Sequence, residues 1–321
     1  MTTMVVYTVQ VTIAILINAI FLAMFVRNPS LRATPSNIFL INLIGSDIVT
    51  AMAGLVACIN FFIRHAATDE IMSETRGITL FMYIFIASLI DSLIAIILVT
   101  MDRFIAITQP FKYREMFTKR NVYIQLITSW IIVIIAPILG VIFATTTNQE
   151  SYRIAQSSLA LVVAGVSIFG MVFLAIANLI ILGQIRKQIK LVSSISVFGD
   201  DKEAAKKSED SLRKKEMRAV YLCFSIVGMF IISWLPFAIG LIINKYPSLV
   251  NASIVLMDAG KALVLLGIAL NPCLYVPFKS DLRAMLLNVF SRRWSSHETT
   301  VGTTNLGTGR YEAQVNDKSD Q

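Results

Sequence analysis

Charge is scarce in this chain. Only 15% of its 321 residues are Asp, Glu, Lys or Arg, against about 25% in an ordinary soluble domain. A deficit of that size excludes a soluble enzyme of common type; most of the chain must meet lipid or other apolar helices. Cysteine is nearly missing too. Cys58, Cys223 and Cys273 all fall inside apolar runs, so no extracellular disulfide is expected. The two histidines, His65 and His297, have no nucleophile–base set or metal-ligand spacing around them, so the chain does not read as an enzyme. The opening MTTMVVYTVQ lacks a basic n-region and a small-residue cleavage site, so the first apolar segment reads as an uncleaved anchor. The formal charge of +8 would suggest nucleic acid only if the cations clustered on one soluble face. They are spread over the connections instead, and no nucleic-acid partner is expected.

What the chain has in abundance is hydrophobic length. It is 56% hydrophobic, with a mean hydropathy of +0.71. About 20 apolar residues cross a bilayer core as a helix, and seven stretches qualify: 4–26, 38–63, 78–101, 122–144, 157–183, 219–243 and 252–276. Backbone groups in lipid must be satisfied within the segment, which leaves helices as the choice. The fold class expected is therefore an all-α membrane protein, a seven-transmembrane helix bundle.

Lys and Arg set the orientation. The connections 27–36, 109–120, 184–218 and 278–295 hold twenty of them, against four (Arg64, Arg76, Arg153 and Lys245) in the opposite set. The N-terminus is expected outside and the C-terminus inside, in a multi-pass protein of the plasma membrane. Residues 1–3 then form a short extracellular N-terminus, and 4–277 the bundle, with a solvated, mobile third inner loop at about 190–215. Apolar Leu282, Met285, Leu286, Val289 and Phe290 have the spacing of a short amphipathic helix on the inner leaflet over 278–291. Residues 292–321 are polar and read as a disordered cytoplasmic tail. Asn251-Ala252-Ser253 is a glycosylation sequon on the expected outer side, very near the membrane.

Seven spans alone leave a transporter or pump open, and the polar residues inside the spans decide between readings. The third span ends Asp102-Arg103-Phe104, followed by Pro110 and Phe111; the sixth reads Phe230-Ile231-Ile232-Ser233-Trp234-Leu235-Pro236; the seventh carries Asn271-Pro272-Cys273-Leu274-Tyr275. The first holds Asn18, the second Asn42 and Asp47, the fourth Trp130. This ordered set, over roughly residues 5 to 290, resembles the signatures of rhodopsin-like (class A) G-protein-coupled receptors. The usual Tyr after Asp-Arg is Phe here. The fifth span has Gly170 where the family has proline and Asn178 where it has an inner tyrosine.

The resemblance implies a working scheme. Glu216 lies 20 residues before Pro236, roughly 30 Å along a helix, which puts it level with Arg103. The family role is a lock between Arg103 and Glu216 in the resting state; the plainer reading is that Arg103 snorkels to headgroups. Trp234 and Pro236 form a hinge, with Phe230 repacking against Leu93. Pro272 breaks the seventh span, and Tyr275 turns inward on activation. Pro110 and Phe111 dock a heterotrimeric G protein. Asp47, with Asn18, Ser92 and Asn271, suits either an allosteric sodium ion or a protonated Asp in a polar cluster; no other cofactor is expected. Asp91, beside Ser92, is a further buried acid of unassigned facing. Tail serines and threonines would serve receptor kinases and arrestin.

Two ligand classes are disfavoured by position. Phe85 stands 18 residues before Arg103, where amine receptors carry the Asp that pairs with the amine. Leu265 stands six residues before Asn271, where opsins carry the retinal-linking Lys. The expected pocket, with Phe85, Leu89, Phe237 and Leu265, is mostly apolar. Lys261 is its exception, either binding a ligand anion or pairing with Asp258 three residues earlier. The absent disulfide and absent fifth-span proline are similar to the melanocortin, cannabinoid, lysophospholipid and adenosine receptor cluster. A lipid or peptide ligand is thus slightly favoured, and a membrane transporter or lipid scramblase is the alternative function.

Overall fold

The computed structural model describes residues 1–66, 76–196, 202–277, 282–284 and 286–287. Among these the chain is helical, with no strand. Eight α-helices follow one another: α1 Thr2–Arg27, α2 Pro35–Ala66, α3 Arg76–Thr108, α4 Pro110–Met116, α5 Lys119–Thr146, α6 Gln149–Ser196, α7 Lys202–Ile243 and α8 Val250–Tyr275. All but α4 are long and apolar enough to cross a membrane. The seven spans expected from the sequence are therefore present, each within a longer helix. In the segment Met1–Phe278, α1 packs on α2 and α8, α2 on α3, α6 on α7, and α7 on α8. Helix α3 runs through this ring, touching α2, α5, α6 and α7.

Polarity is arranged the opposite way round from a soluble fold. Along α5 the buried residues Val122, Ser129, Val133 and Pro137 make one narrow stripe. Ile124, Ile127, Ile131, Ile135 and Ile138 of the same helix are exposed. Such an apolar exterior fits lipid as the solvent. Asn18, Asn42, Asp47, Asp91 and Asp102 lie buried in the interior.

Small residues bring helices close where lipid supplies no hydrophobic drive. A Cβ on Gly260 would lie 2.5 Å from the Phe237 backbone nitrogen, and one on Gly240 would lie 3.0 Å from that of Met257. Helices α7 and α8 thus meet almost backbone to backbone. Prolines 137, 236 and 272 sit inside α5, α7 and α8, each removing one internal hydrogen bond. Thr118 caps α5, accepting from the Asn121 amide at 3.3 Å.

The inner connection at 190–215 differs from expectation. Helix α6 runs on to Ser196 and α7 begins at Lys202, so most of the expected loop is helix. The membrane-crossing stretches do end near the expected places, at Gln188 and Phe224. Lys, Glu, Ala and Leu, which fill this segment, are strong helix formers in water. The expected inner-leaflet helix at 278–291 is described at 282–284 and 286–287, all helical; the tail 292–321 lies outside the described residues.

Candidate functional site

At one end of α3, Asp102 is fully buried and its carboxylate lies 3.0 Å from the Arg103 guanidinium, itself one-third exposed. The Tyr113 hydroxyl donates to the other Asp102 oxygen at 2.9 Å. That phenol is pushed up to about 12, by burial first and then by the adjacent carboxylate, so it keeps its proton at any physiological pH and remains a donor. Tyr113 stacks on Phe117, which meets Phe39 of α2 edge-on. This packing holds α4 against the bundle while Phe111, 90% exposed, projects from it beside Pro110. Gln188 of α6 donates to the Ile107 carbonyl of α3 at 3.2 Å. Fully buried Ile181 and Ile185 of α6 pack with Phe104, Ile107, Met217 and Phe224. Glu216 lies on α7 in this region of the sequence, with its side chain outside the described residues. Tyr275 is fully buried.

In the middle of the bundle two serine–aspartate pairs cross between α2 and α3. Ser92 donates to Asp47 at 3.1 Å, and Ser46 donates to Asp91. Asn271 of α8 donates to the second Asp47 oxygen at 2.9 Å. Three of the four residues expected around an ion thus come together. Asn18 does not bond Asp47: its amide donates to the Ala14 and Ile268 carbonyls at 2.9 and 3.0 Å, tying α1 to α8, and its buried oxygen has no partner. Asn42 donates to Asp91 at 3.5 Å and accepts from the Trp130 indole at 2.7 Å. Asp91 therefore faces α2, in a network reaching α5. The signal for this was in the sequence, a Ser-Asp step on one span and an Asp-Ser step on the next, but pairing them requires the helix register.

Around Pro236, Phe230 and Trp234 lie 5.4 Å apart between ring centres, and Trp234 meets Phe237 edge-on at 6.2 Å. Leu93 packs against Gly170 of α6, where a Cβ would come within 2.9 Å. A Cβ on Gly267 would meet the Ser233 hydroxyl oxygen at 2.8 Å, so Ser233 occupies the space beside that glycine.

A cavity of about 630 Å³ opens among α1, α2, α3, α6, α7 and α8, within the roughly 300–1,000 Å³ usual for small-molecule sites. Phe85, Leu89, Phe237, Lys261 and Leu265 all line it, as expected. Leu89 is thirteen residues from Asp102, roughly 20 Å along α3, so the cavity lies well away from Arg103. Lys261 also sits 3.3 Å from Asp258. Tyr7 donates to the Asp258 carbonyl at 2.9 Å. Asn251 is exposed, in the first turn of α8, while the sequon's Ser253 is enclosed and donates to Asn244 at 2.9 Å.

The chain is similar to the histamine H2 receptor of Cavia porcellus, 22% identical over 231 residues, 70% of this chain and 63% of that one. It is similar to the lysophosphatidic acid receptor 4 of Homo sapiens, 24% identical over 207 residues, 62% of this chain and 54% of that one. It is also similar to a protein of Mizuhopecten yessoensis named rhodopsin, GQ-coupled, 24% identical over 245 residues, 71% of this chain and 47% of that one. The chain thus spans half to two-thirds of the length of these relatives. The sequence profile of the 7 transmembrane receptor (rhodopsin family) matches residues 17–275, from the first span to the end of α8, and the chain belongs to that family.

Proposed function

We propose that the protein is a G-protein-coupled receptor: a ligand entering the cavity shifts Trp234, α7 swings outward about Pro236, and the Arg103 end of α3 opens to a heterotrimeric G protein. The observation that carries this reading is the Asp102–Arg103 pair, capped by Tyr113 and flanked by exposed Phe111. A buried carboxylate holding a partly exposed guanidinium is a charge kept ready at a helix end. The name of the Mizuhopecten relative supports a G protein as the partner. The Lys and Arg distribution supports an N-terminus outside and a C-terminus inside, and the receptor reading goes with the plasma membrane. Arrestin and receptor kinases would act on the tail.

The ligand is neither an amine nor retinal. The relatives' names include both a histamine receptor and a rhodopsin, yet Phe85 and Leu265 stand where those chemistries need Asp and Lys. A sodium ion fits the mid-bundle site. Asp47 is fully buried, Ser92 adds a hydroxyl oxygen, and Asn18 supplies an unpartnered buried oxygen, the hard donors such an ion takes. When bound, the ion would neutralise the Asp47 charge. No observation among the described residues favours a transporter or scramblase.

The test is signalling in cells expressing surface-matched variants. Glu216→Ala should raise basal G-protein activation several-fold, and Arg103→Ala should remove both basal and stimulated activation. Unchanged signalling from both variants removes the lock from the mechanism.

A further inference from the structure

We infer that the ligand is an elongated apolar molecule carrying one anionic group, a carboxylate or a phosphate, seated on Lys261. This rests on the receptor reading above and names the chemistry its cavity takes. Lys261 is the one charged side chain lining the cavity among the described residues. The same cavity is lined mostly by apolar side chains, Phe85, Leu89, Phe237, Leu241 and Leu265 among them, with Tyr7, Gln156, Ser157 and Asn244 as its neutral polar groups. A site of this kind orients its ligand through its few polar groups, and here the strongest of them is a cation.

The pair with Asp258 does not remove that cation from use. It is an i,i+3 contact between side chains that are 41% and 45% exposed, at 3.3 Å, and such pairs contribute little. It engages one of the three ammonium hydrogens. Asp258 itself does not line the cavity. An anion arriving from the cavity meets the free face of Lys261. A cationic ligand meets a like charge, consistent with Phe85 standing where an amine-binding Asp would be.

The test uses purified full-length receptor in detergent, with oleic acid and oleoyl lysophosphatidate as anionic probes and oleyl alcohol as the uncharged control. Both the saturable rise in melting temperature and displacement of a labelled anionic probe are measured. The anions are expected to bind at least about tenfold tighter than the alcohol, because a charge-assisted hydrogen bond is lost with the headgroup. The two anionic arms distinguish carboxylate from phosphate. Lys261→Gln should weaken the anions about tenfold and leave the alcohol unchanged, while Lys261→Arg should retain them. Asp258→Asn should strengthen anion binding, and it serves as the independent reading if Lys261→Gln does not fold. Equal affinity for the alcohol, no binding of either anion, or unchanged anion affinity in both the Gln and the Asn variants overturns the proposal. Anion binding without G-protein activation in cells would refute the receptor reading and leave this inference standing; activation by uncharged ligands alone would do the reverse.

Discussion

Asp91 is 1% exposed and accepts from both Ser46 and Asn42, and Asn42 in turn holds Trp130. Truncating it leaves the buried Asn42 amide without this acceptor, at about 1–3 kcal/mol, while the Ser46 hydroxyl keeps the Asn42 carbonyl at 3.1 Å. Asp91→Ala should therefore lower the melting temperature of the solubilised protein clearly, whereas Asp91→Asn, which keeps an acceptor, should lower it much less. Equal loss in the two variants would show that volume, not hydrogen bonding, is what the position supplies. At Tyr113 the hydroxyl gives Asp102 its second partner. Since its proton is retained up to about pH 12, this contact is insensitive to physiological pH. Tyr113→Phe should loosen the Arg103 pair and raise basal signalling at every pH; a rise confined to one side of neutrality would show a different group to be titrating. For Asp47, wild-type protein should melt higher in sodium chloride than in choline chloride of equal ionic strength, and Asp47→Asn should erase that difference. Single-residue chemistry of this kind was partly legible in the sequence. The bonds of Ser92 and Asn271 to Asp47 could be expected because each residue sits in a signature whose place on its helix is known. The Asn18 bond to the Ile268 carbonyl and the partners of Asp91 could not, because which way a residue faces depends on register between helices.

Among the elements, α7 carries both the close approach to α8 and Pro236, the proposed hinge. A side chain at Gly260 has no room before it meets the Phe237 backbone, and backbone, unlike a flexible side chain, cannot turn aside. Gly260→Leu should force α7 and α8 apart, at about 1–3 kcal/mol or more, and should be seen as loss of surface expression and of thermal stability. Gly228→Ala on α7, with open space around its Cβ position, should be tolerated. The extents of α6 and α7 show where element-level reading from sequence fails. Charged residues mark an inner loop at about 190–215 in the sequence. They end only the stretch that tolerates lipid; in water the same Lys, Glu and Ala residues favour continued helix. Apolar length finds a span, but it does not find the end of a helix.

On the scale of the whole molecule, the number of crossings was legible because lipid imposes a length and a composition that no soluble fold shares. The cavity's five expected lining residues were legible too, since three helices whose signatures fix their register, α3, α7 and α8, carry them. The packing order of the helices was not, as nothing in one chain's hydropathy says which apolar face meets which. Orientation makes a prediction at this scale: an epitope at the N-terminus should be reached by antibody on intact cells and one at the C-terminus only after permeabilisation. The reverse pattern would place the Arg103 end outside and end the proposed coupling.

The crossed serine–aspartate pairs have a mechanical consequence. Two bonds running in opposite senses between α2 and α3 resist both sliding and rotation of one helix on the other, as two rivets do where one would act as a pivot. With Asn42 and Trp130 extending the frame to α5 and Asn271 attaching α8 to it, these helices form a stator. With Asn18 tying α1 to α8, the rearrangement proposed for ligand binding would then be carried by α6 and α7, which no bond of this mid-membrane frame reaches.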